Sequence, residues 1–382
     1  MINLATKDIS HSFSKFVVTA MGVGMLLGVV LLMIGVYRGM VYEAEVLLND
    51  INIDLWIVQD NTLGPFAESS RVHEDLKNTI MAIDGVEKTS AITFQNIQLP
   101  QKNGEKLRVF AVGYNPFDNI SPLNQDRLIE GRRILKSNYE LVVGVKANLK
   151  LNEIVTLGKN SFRVVGITKG VVSSSGDPIV YMSLKDAQEL QFLYSNPRIR
   201  NDRKRGILNN DSHMVNAIIA TTKKGYDKNL IAQEIKRYKY KSVYTDEQQS
   251  EILVTNLVKR ASKQIGLFTA ILVVVATIII ALIIYTMTLE KMKEIAIMKL
   301  IGLPNIMIVK MIVQETLILG IFAFIFGNIF AHLVYENFPK KVVLITSDAW
   351  VLFGVVVLAS VLSSFAGVKK VVSADPREAI GG

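Results

Sequence analysis

The sequence has 382 residues, half of them apolar, a formal net charge of +9 and no cysteine. The lack of cysteine excludes disulfide bonds, thiolate metal sites and cysteine nucleophiles. The basic residues do not form a stripe with interleaved aromatic residues, so the positive charge does not indicate nucleic-acid binding.

Segments long enough to cross a bilayer, which takes about 20 helical residues, occur four times in the chain. They cover 16–37, 265–289, 316–335 and 349–368, and none contains Asp, Glu, Lys or Arg. The first is too long for the apolar core of a signal peptide and lacks a small-residue cleavage site, so we expect it to be retained. The sequence therefore predicts an α-helical membrane protein with four transmembrane helices.

Basic residues near the span ends predict the orientation, because they favour the cytoplasmic side. The side with both termini has Lys7, Lys15, Lys291, Lys293, Lys299, Lys310, Lys369, Lys370 and Arg377, against Arg38, Lys259, Arg260, Lys263, Lys340 and Lys341 on the other. This excess favours cytoplasmic termini. The predicted segments are a cytoplasmic N-terminal segment (1–15), spans at 16–38, 264–289, 305–335 and 349–368, an extracytoplasmic domain (39–263), a cytoplasmic helix (290–304), an outer loop (336–348) and a cytoplasmic tail (369–382).

The large domain is predicted to contain one α+β unit in two parts, 54–115 and 213–250. In the first part we predict a strand at 54–58, a helix from Ser70 to Ile83 that stops at Gly85, and a hairpin of 89–99 with 107–112. In the second part we predict a strand at 214–221, a helix at 226–238, a strand at 241–244, and a helix from Ile252 that continues into the second span.

Between these parts lies a predicted insert, 120–195, that is mostly β. Its short apolar segments are broken by glycines and cover 139–145, 154–157, 161–167 and 178–182. The basic, Asn-rich run 196–211 is predicted to be an exposed loop. The predicted fold is thus four transmembrane helices plus a large α+β extracytoplasmic domain, a ferredoxin-like or porter unit with an inserted mostly-β subdomain.

Motifs for chemistry are lacking in the sequence. No phosphate-binding GxxxxGK[ST] loop and no GxSxG nucleophile elbow occurs. The histidines, His11, His73, His213 and His332, are far apart in sequence, and none forms a ligand-spaced pair. We therefore predict a non-catalytic chain without metal or cofactor. For Glu315 and His332, which lie at or within a span, we expect structural roles.

Small residues recur at four-residue spacing in the spans. The pairs are Gly24 with Gly28, Gly35 with Gly39, and Ser363 with Gly367. In lipid such pairs allow close helix approach, either within one chain or between two copies.

The segment after the second span, EKMKEIAIMKLIGLP (290–304), is both charged and apolar. Met292, Ala296, Leu300 and Leu303 fall on one face of a helix, with Glu290, Lys293 and Glu294 roughly opposite. Two interpretations stay open: a helix lying on lipid, and a helix docked in a protein partner. Gly302 permits a turn, and Pro304 suits the first position of the next helix.

A family resemblance rests on these residues together. The chain resembles the FtsX/MacB-type permeases of ABC transporters in its one N-terminal span, large outer domain and three C-terminal spans. The shared motifs are Glu294-Ile-Ala296 with Lys299 and Gly302, Asp375-Pro-Arg-Glu-Ala379, Asp54-Leu-Trp-Ile-Val-Gln59, Gly131-Arg132 and Val164-Val-Gly-Ile167.

The resemblance implies a homodimer that binds two ATPase subunits, with the helix at 290–304 as the coupling helix. The residues expected to form the ATPase contact are Lys293, Glu294, Ile297, Met298, Lys299, Gly302 and Pro304. ATP-driven motion would pass through the spans to the outer domain, which is called mechanotransmission. Since no ATPase domain is fused to the chain, the ATPase is expected to be a separate protein, as in the HrtB and DevC branches.

Three functions are compatible with the resemblance. The first is efflux, across the cell (inner) membrane, of an amphiphile such as heme, a lipid, a macrolide or a peptide, with a membrane-fusion adaptor and an outer-membrane channel as possible further partners. The second is FtsX-like regulation of extracytoplasmic hydrolases, and the third is LolC/LolE-like lipoprotein extraction. The insert at 120–195 favours efflux, because FtsX outer domains are typically smaller.

Overall fold

The structure is a computed structural model that describes residues 13–64, 66–101, 104–193, 213–338 and 340–373. The predicted loop at 196–211, most of the N-terminal segment and the motif at 375–379 lie outside these residues. Contacts divide the chain into a helical unit, Met1–Gly39 with Ala261–Gly382, and a sheet unit, Met40–Arg260.

The four predicted membrane helices are present. In the described part of the chain, four helices are long and apolar enough to cross a membrane, at Phe13–Ile51, Ala261–Glu290, Asn305–Asn337 and Thr346–Phe365. They belong to α1 (Phe13–Ile51), α6 (Lys259–Glu290), α8 (Asn305–Val334, extended by a 3₁₀ turn at Tyr335–Asn337) and α9 (Thr346–Ser373), with the short α7 (Met292–Leu300) between α6 and α8.

Helix α1 is longer than the predicted span. It has 39 residues, about 58 Å, and does not end near Arg38. Val46, Leu47 and Leu48 are buried, so the helix continues because its last turns carry apolar side chains into the core of the sheet unit. Asn52, in the left-handed conformation (φ 46°), follows its end.

The sheet unit contains one large mixed sheet. Among the described residues it has ten strands, in the order β12-β1-β11-β3-β4-β9-β6-β8-β5, with β7 also paired to β8. These are β1 (Leu55–Val58), β3 (Val86–Pro100), β4 (Lys106–Tyr114), β5 (Leu128–Gly131), β6 (Glu140–Gly144), β7 (Ile154–Leu157), β8 (Asn160–Thr168), β9 (Ile179–Ser183), β11 (Ala217–Thr222) and β12 (Ser242–Thr245); β2 (Val72–His73) pairs separately with β10 (Met214–Val215).

The predicted ferredoxin-like unit is present at one end of this sheet. Strand β1, α2 (Leu76–Met81) and β3 form its first half, and β11, α4 (Lys228–Lys239) and β12 form its second. The four strands lie in the order β12-β1-β11-β3 with antiparallel neighbours throughout. After β12 come α5 (Asp246–Leu253) and a π-helical turn at Val254–Val258, which leads into α6.

The predicted insert continues the same sheet. Strand β4 forms an antiparallel hairpin with β3 and a parallel pair with β9, in which Phe110 lies opposite Ile179. The insert also contains a helix that its β-type pattern does not predict, α3 (Leu184–Leu193). Its residues Ala187 and Leu190 are buried, so packing on the sheet decides the helix here.

Alternating side chains of the strands fill separate cores. Trp56 and Val58 of β1 point into a core that also holds Leu47 and Leu48 of α1. Leu55 and Ile57 point into the opposite core, with residues of α2 and α4. The sheet is therefore covered on both faces, because successive residues of a strand alternate between them.

The predicted helix from Ser70 to Ile83 is wrong in its first half. Val72 instead pairs with Val215 as part of β2, and the helix begins only at Leu76. The hydroxyl of Ser70 accepts a hydrogen bond from the amide of Gln59 (2.9 Å), which ties this segment to the end of β1. Tertiary pairing overrides the helical spacing of the apolar residues.

Asn216, between β10 and β11, links three segments through a side chain that is 6% exposed. Its Oδ1 accepts from the Thr93 hydroxyl and the Phe94 amide (both 2.7 Å), and its Nδ2 donates to the Ser70 carbonyl (3.1 Å). We expect Asn216→Ala to lower the free energy of unfolding by about 2–3 kcal/mol, because buried partners lose their hydrogen bonds. Thermal unfolding of the purified full chain measures this, with the exposed Asn78→Ala as the control; equal stability of the two variants contradicts it.

Candidate coupling site

Helix α7 follows α6 after a break at a single residue, Lys291. Its backbone (φ −92°, ψ 7°) leaves helical geometry between Glu290 and Met292. Two hydrogen bonds bridge the break, from the Lys291 amide to the Met287 carbonyl (3.3 Å) and from the Ile295 amide to the Lys291 carbonyl (2.9 Å). The break is therefore a bend in one nearly continuous helix.

The turn from α7 to α8 is a Schellman motif. Gly302 has a φ of 96°, its amide donates to the Lys299 carbonyl, and the Leu303 amide donates to the Met298 carbonyl (both 3.0 Å). Pro304, with extended backbone geometry, is the N-cap residue of α8, so the helix begins one residue later than predicted, at Asn305. Glycine is required here because L side chains rarely adopt this conformation.

The packed face of α7 matches the predicted face only in part. Ala296 of that face is buried (3% exposed) and Met292 and Leu303 are half-buried, but Leu300 is 61% exposed, and Ile295, outside that face, is buried (2%). Apolar residues occupy more than one side of this short helix, so their spacing could not decide which side packs.

Exposed apolar side chains form a patch across α7, the turn and the first turn of α8. We call this the coupling patch; it consists of Ile297 (49% exposed), Leu300 (61%), Ile301 (75%), Ile306 (75%) and Met307 (51%). Of the other residues predicted to form the ATPase contact, Lys293, Glu294, Gly302 and Pro304 are exposed, and Met298 and Lys299 are half-buried. An apolar patch with charged residues around it is typical of a surface that binds another protein or a membrane, so it agrees with both interpretations of the segment.

Two ion pairs lie at the base of α7. Lys291 Nζ is 2.9 Å from Glu315 Oε1 of α8, with side chains that are 15% and 7% exposed. Lys15 of α1 pairs with Glu290 at 2.5 Å, with side chains that are 51% and 58% exposed. The sequence did not predict either pair; the signal for the first was Glu315 itself, since a carboxylate within a span needs a partner.

The predicted small-residue pairs lie at contacts within one chain. A methyl group at Gly24 would lie 2.7 Å from the Ala323 carbonyl oxygen, and one at Gly28 would lie 2.8 Å from that of Gly327. Gly35 and Gly39 lie against Val342 and Lys341 in the same way, and the Ser363 hydroxyl donates to the Thr277 carbonyl (3.0 Å). The surroundings of Gly367 are outside the described residues, and a role for these residues in a dimer stays a prediction.

His73 and His213 are far apart in sequence but lie close together in the structure, which the sequence did not predict. Pairing of β2 with β10 brings their rings to 6.3 Å between centroids, beside Asp75 and Glu74. In the described part of the chain, no group of three or more His, Cys, Asp or Glu side chains could hold a metal ion. His332 is exposed, with Nδ1 2.9 Å from the Asn328 carbonyl oxygen.

Comparisons with known proteins agree with this architecture. The family model for the MacB-like periplasmic core domain matches residues 16–238, more than half of the chain, and that for the FtsX-like permease C-terminal region matches 266–376. An uncharacterized ABC transporter permease of Mycobacterium tuberculosis is 22% identical over the whole length of both chains. HrtB, a proposed hemin transport permease of Staphylococcus haemolyticus, is 22% identical over all of this chain and 99% of its own.

Among solved structures, the periplasmic region of MacB from Actinobacillus actinomycetemcomitans matches with a TM-score of 0.37 and 13% identity. The match covers 52% of this chain and 92% of that one.

The fold defines a helical membrane protein with a large extracytoplasmic α+β domain, which is the sheet unit. With the family matches, the chain belongs to the MacB/FtsX-type permeases of ABC transporters.

Proposed function

We propose that the chain is the stand-alone permease subunit of an ABC transporter that exports an amphiphilic substrate by mechanotransmission. The observation that carries the proposal is the coupling patch, an exposed apolar surface on a short helix between two spans. In this proposal the patch binds a separate ABC ATPase, and motion of α7 is passed to α8 through the Schellman turn.

The proposed topology has the termini and the segment 290–304 in the cytoplasm of the cell (inner) membrane. The spans are then 16–38, 264–289, 305–335 and 349–368, with 1–15 and 369–382 inside and 39–263 and 336–348 outside. Two arguments support this orientation. The basic residues near the spans favour it, and it puts α7 and the end of α8 that carries Ile306 and Met307 on the side where ATP is available.

The proposed assembly has two copies of the permease and two of the ATPase. Helix α6 has an apolar face that the rest of the chain leaves available for a dimer contact, because only 17% of its most apolar stretch is buried within the chain. Its exposed apolar side chains follow helical spacing: Leu267, Ile271, Val274, Ile278 and Leu282. Such a face can pack on lipid or on the same helix of a second copy.

The insert, whose strands continue the large sheet, favours export over the regulatory and lipoprotein-extraction functions. Strands β5–β9 extend the ferredoxin-like unit into one large outer domain, covered on both faces. The proposed substrates are heme, a lipid, a macrolide or a peptide, of which a relative named for hemin transport supports the first. A membrane-fusion adaptor and an outer-membrane channel are further proposed partners.

The test is capture of the ATPase through the coupling patch. The tagged full-length permease, purified from membranes of its own host, is expected to retain an ABC ATPase and to hydrolyse ATP. Ile297→Asp and Leu300→Asp are expected to reduce the retained ATPase about tenfold or more, because a charge at the centre of an apolar interface is desolvated.

The control is Phe13→Asp, which places the same charge at an exposed apolar residue (58%) at the start of α1. It is expected to retain the ATPase. Absence of an ABC ATPase from the wild-type preparation, or equal retention by all variants, contradicts the proposal.

A further inference from the structure

The Lys291–Glu315 ion pair closes a helical hairpin. Helix α7 and the start of α8 are joined at one end by the turn at Gly302 and Pro304. At the other end, Lys291 immediately precedes α7, and its ammonium group is 2.9 Å from Glu315, ten residues into α8. The two helices therefore run antiparallel, and they are fixed at both ends.

The residue that forms this contact is also the residue at which the helix breaks. A single non-helical residue between α6 and α7 is the place where α7 can pivot. Because the side chain of Lys291 binds Glu315, the position of this pivot relative to α8 is fixed, and the turn at Gly302 and Pro304 fixes the other end of α7.

The neighbouring ion pair offers a comparison. Lys15–Glu290 has the same chemistry and comes one residue earlier, but both side chains are more than half exposed. Exposed pairs are screened by water and contribute little, whereas removing one partner of a buried pair leaves an uncompensated charge. Only the Lys291–Glu315 pair is therefore expected to hold the geometry of α7.

We propose that Lys291 and Glu315 are positioning residues that make α7 and the start of α8 move as one body. Force applied at the coupling patch then displaces α8 and is not absorbed by bending at Lys291. This inference rests on the proposed function for the source of the force, but the positioning itself is a property of the permease alone.

The first experiment measures positioning without any ATPase. The chain has no cysteine, so spin labels can be attached at Ile297→Cys in α7 and Ile325→Cys in α8, both about half exposed. In nanodiscs, the full-length wild-type background is expected to give one narrow distance distribution. Lys291→Met and Glu315→Gln are expected to broaden it, and the exchange Lys291→Glu with Glu315→Lys is expected to narrow it again.

The matched controls are Lys15→Met and Glu290→Gln, which break the exposed pair and are expected to leave the distribution narrow. Glu315→Gln keeps the side-chain shape, so it serves if Lys291→Met does not fold. A distribution that stays narrow in both variants of the buried pair overturns the positioning role.

The second experiment links positioning to coupling. With the co-purified ATPase, Lys291→Met is expected to retain binding but to lose stimulation of ATP hydrolysis by about fivefold or more, partly restored by the exchange. If the distance distribution broadens but stimulation of ATP hydrolysis is unchanged, positioning of α7 is not linked to coupling. If the wild type binds no ATPase, the proposed function is contradicted. The spin-label distances of the first experiment then still test whether Lys291 and Glu315 position α7.

Discussion

Alanine at Gly24 and Gly28 is expected to destabilise the helical unit, although the same substitution usually favours a helix. The added methyl groups would meet the backbone oxygens of Ala323 and Gly327 at 2.7 and 2.8 Å, so α1 and α8 must separate. Overpacking of this kind costs about 1–3 kcal/mol at each site. Elsewhere in a helix, glycine to alanine stabilises by up to about 1 kcal/mol.

Gly22 provides the control in the same helix. A methyl group there meets nothing within 4 Å, so Gly22→Ala is expected to be neutral or slightly stabilising. Thermal unfolding of the full chain in detergent should give a lower Tm for the Gly24→Ala/Gly28→Ala double variant and an unchanged or slightly higher Tm for Gly22→Ala. If the glycines serve a dimer instead, the double variant will change the oligomeric state and leave the unfolding of the monomer unaltered.

Replacing Glu140 by glutamine is expected to destabilise the sheet unit by about 2–3 kcal/mol. This carboxylate, 5% exposed, accepts two hydrogen bonds from Arg132 (2.6 and 3.0 Å) and one each from the amides of Leu135 and Lys136 (3.0 and 3.2 Å). An amide group cannot accept all four, so charged or polar partners lose hydrogen bonds. Glu130→Gln, at an exposed position on β5, is the control and should stay within about 0.5 kcal/mol of wild type.

The carboxylate of Glu140 also makes the stability of the sheet unit depend on pH, with lower stability in acid. The hydrogen bonds from Arg132 lower the pKa of Glu140 from 4.5 to about 2. Because the unfolded chain binds this proton more readily, the stabilisation is complete above about pH 4.5 and is lost as the pH falls toward 2. Trp56 is fully buried in this domain, so its fluorescence reports unfolding. A wild-type stability that falls no more steeply than that of Glu140→Gln in this range would contradict the assignment.

Periodicity and composition were sufficient for the membrane helices and for the ferredoxin-like unit. Long uncharged segments have few alternatives to spanning a bilayer, and the hairpin of β3 with β4 follows from alternation on both sides of a polar turn. The spacing of apolar residues predicted the wrong element where a segment pairs with a strand that is distant in the sequence. Val72 has helical spacing relative to Leu76 and Ile80, but it pairs with Val215 across more than a hundred residues.

The sequence predicted where in the chain the coupling site lies but not how its helix packs. Gly302 and Pro304 locate the turn because their backbone preferences are local. Which side of α7 packs was not predictable, since apolar residues occupy more than one side of this short helix. The meeting of His73 and His213 was missed for a similar reason: histidines far apart in sequence become neighbours through strand pairing.

The contact between Gly28 and Gly327 has a consequence for biogenesis. The ribosome releases about 300 residues between these two positions, which takes roughly 15–60 s at ordinary rates of synthesis. During that interval the glycine face of α1 borders lipid or an insertion factor, because its partner does not yet exist. Pairing of the first span with the third is therefore a late step, and newly made chains arrested before residue 327 should expose this face to crosslinking.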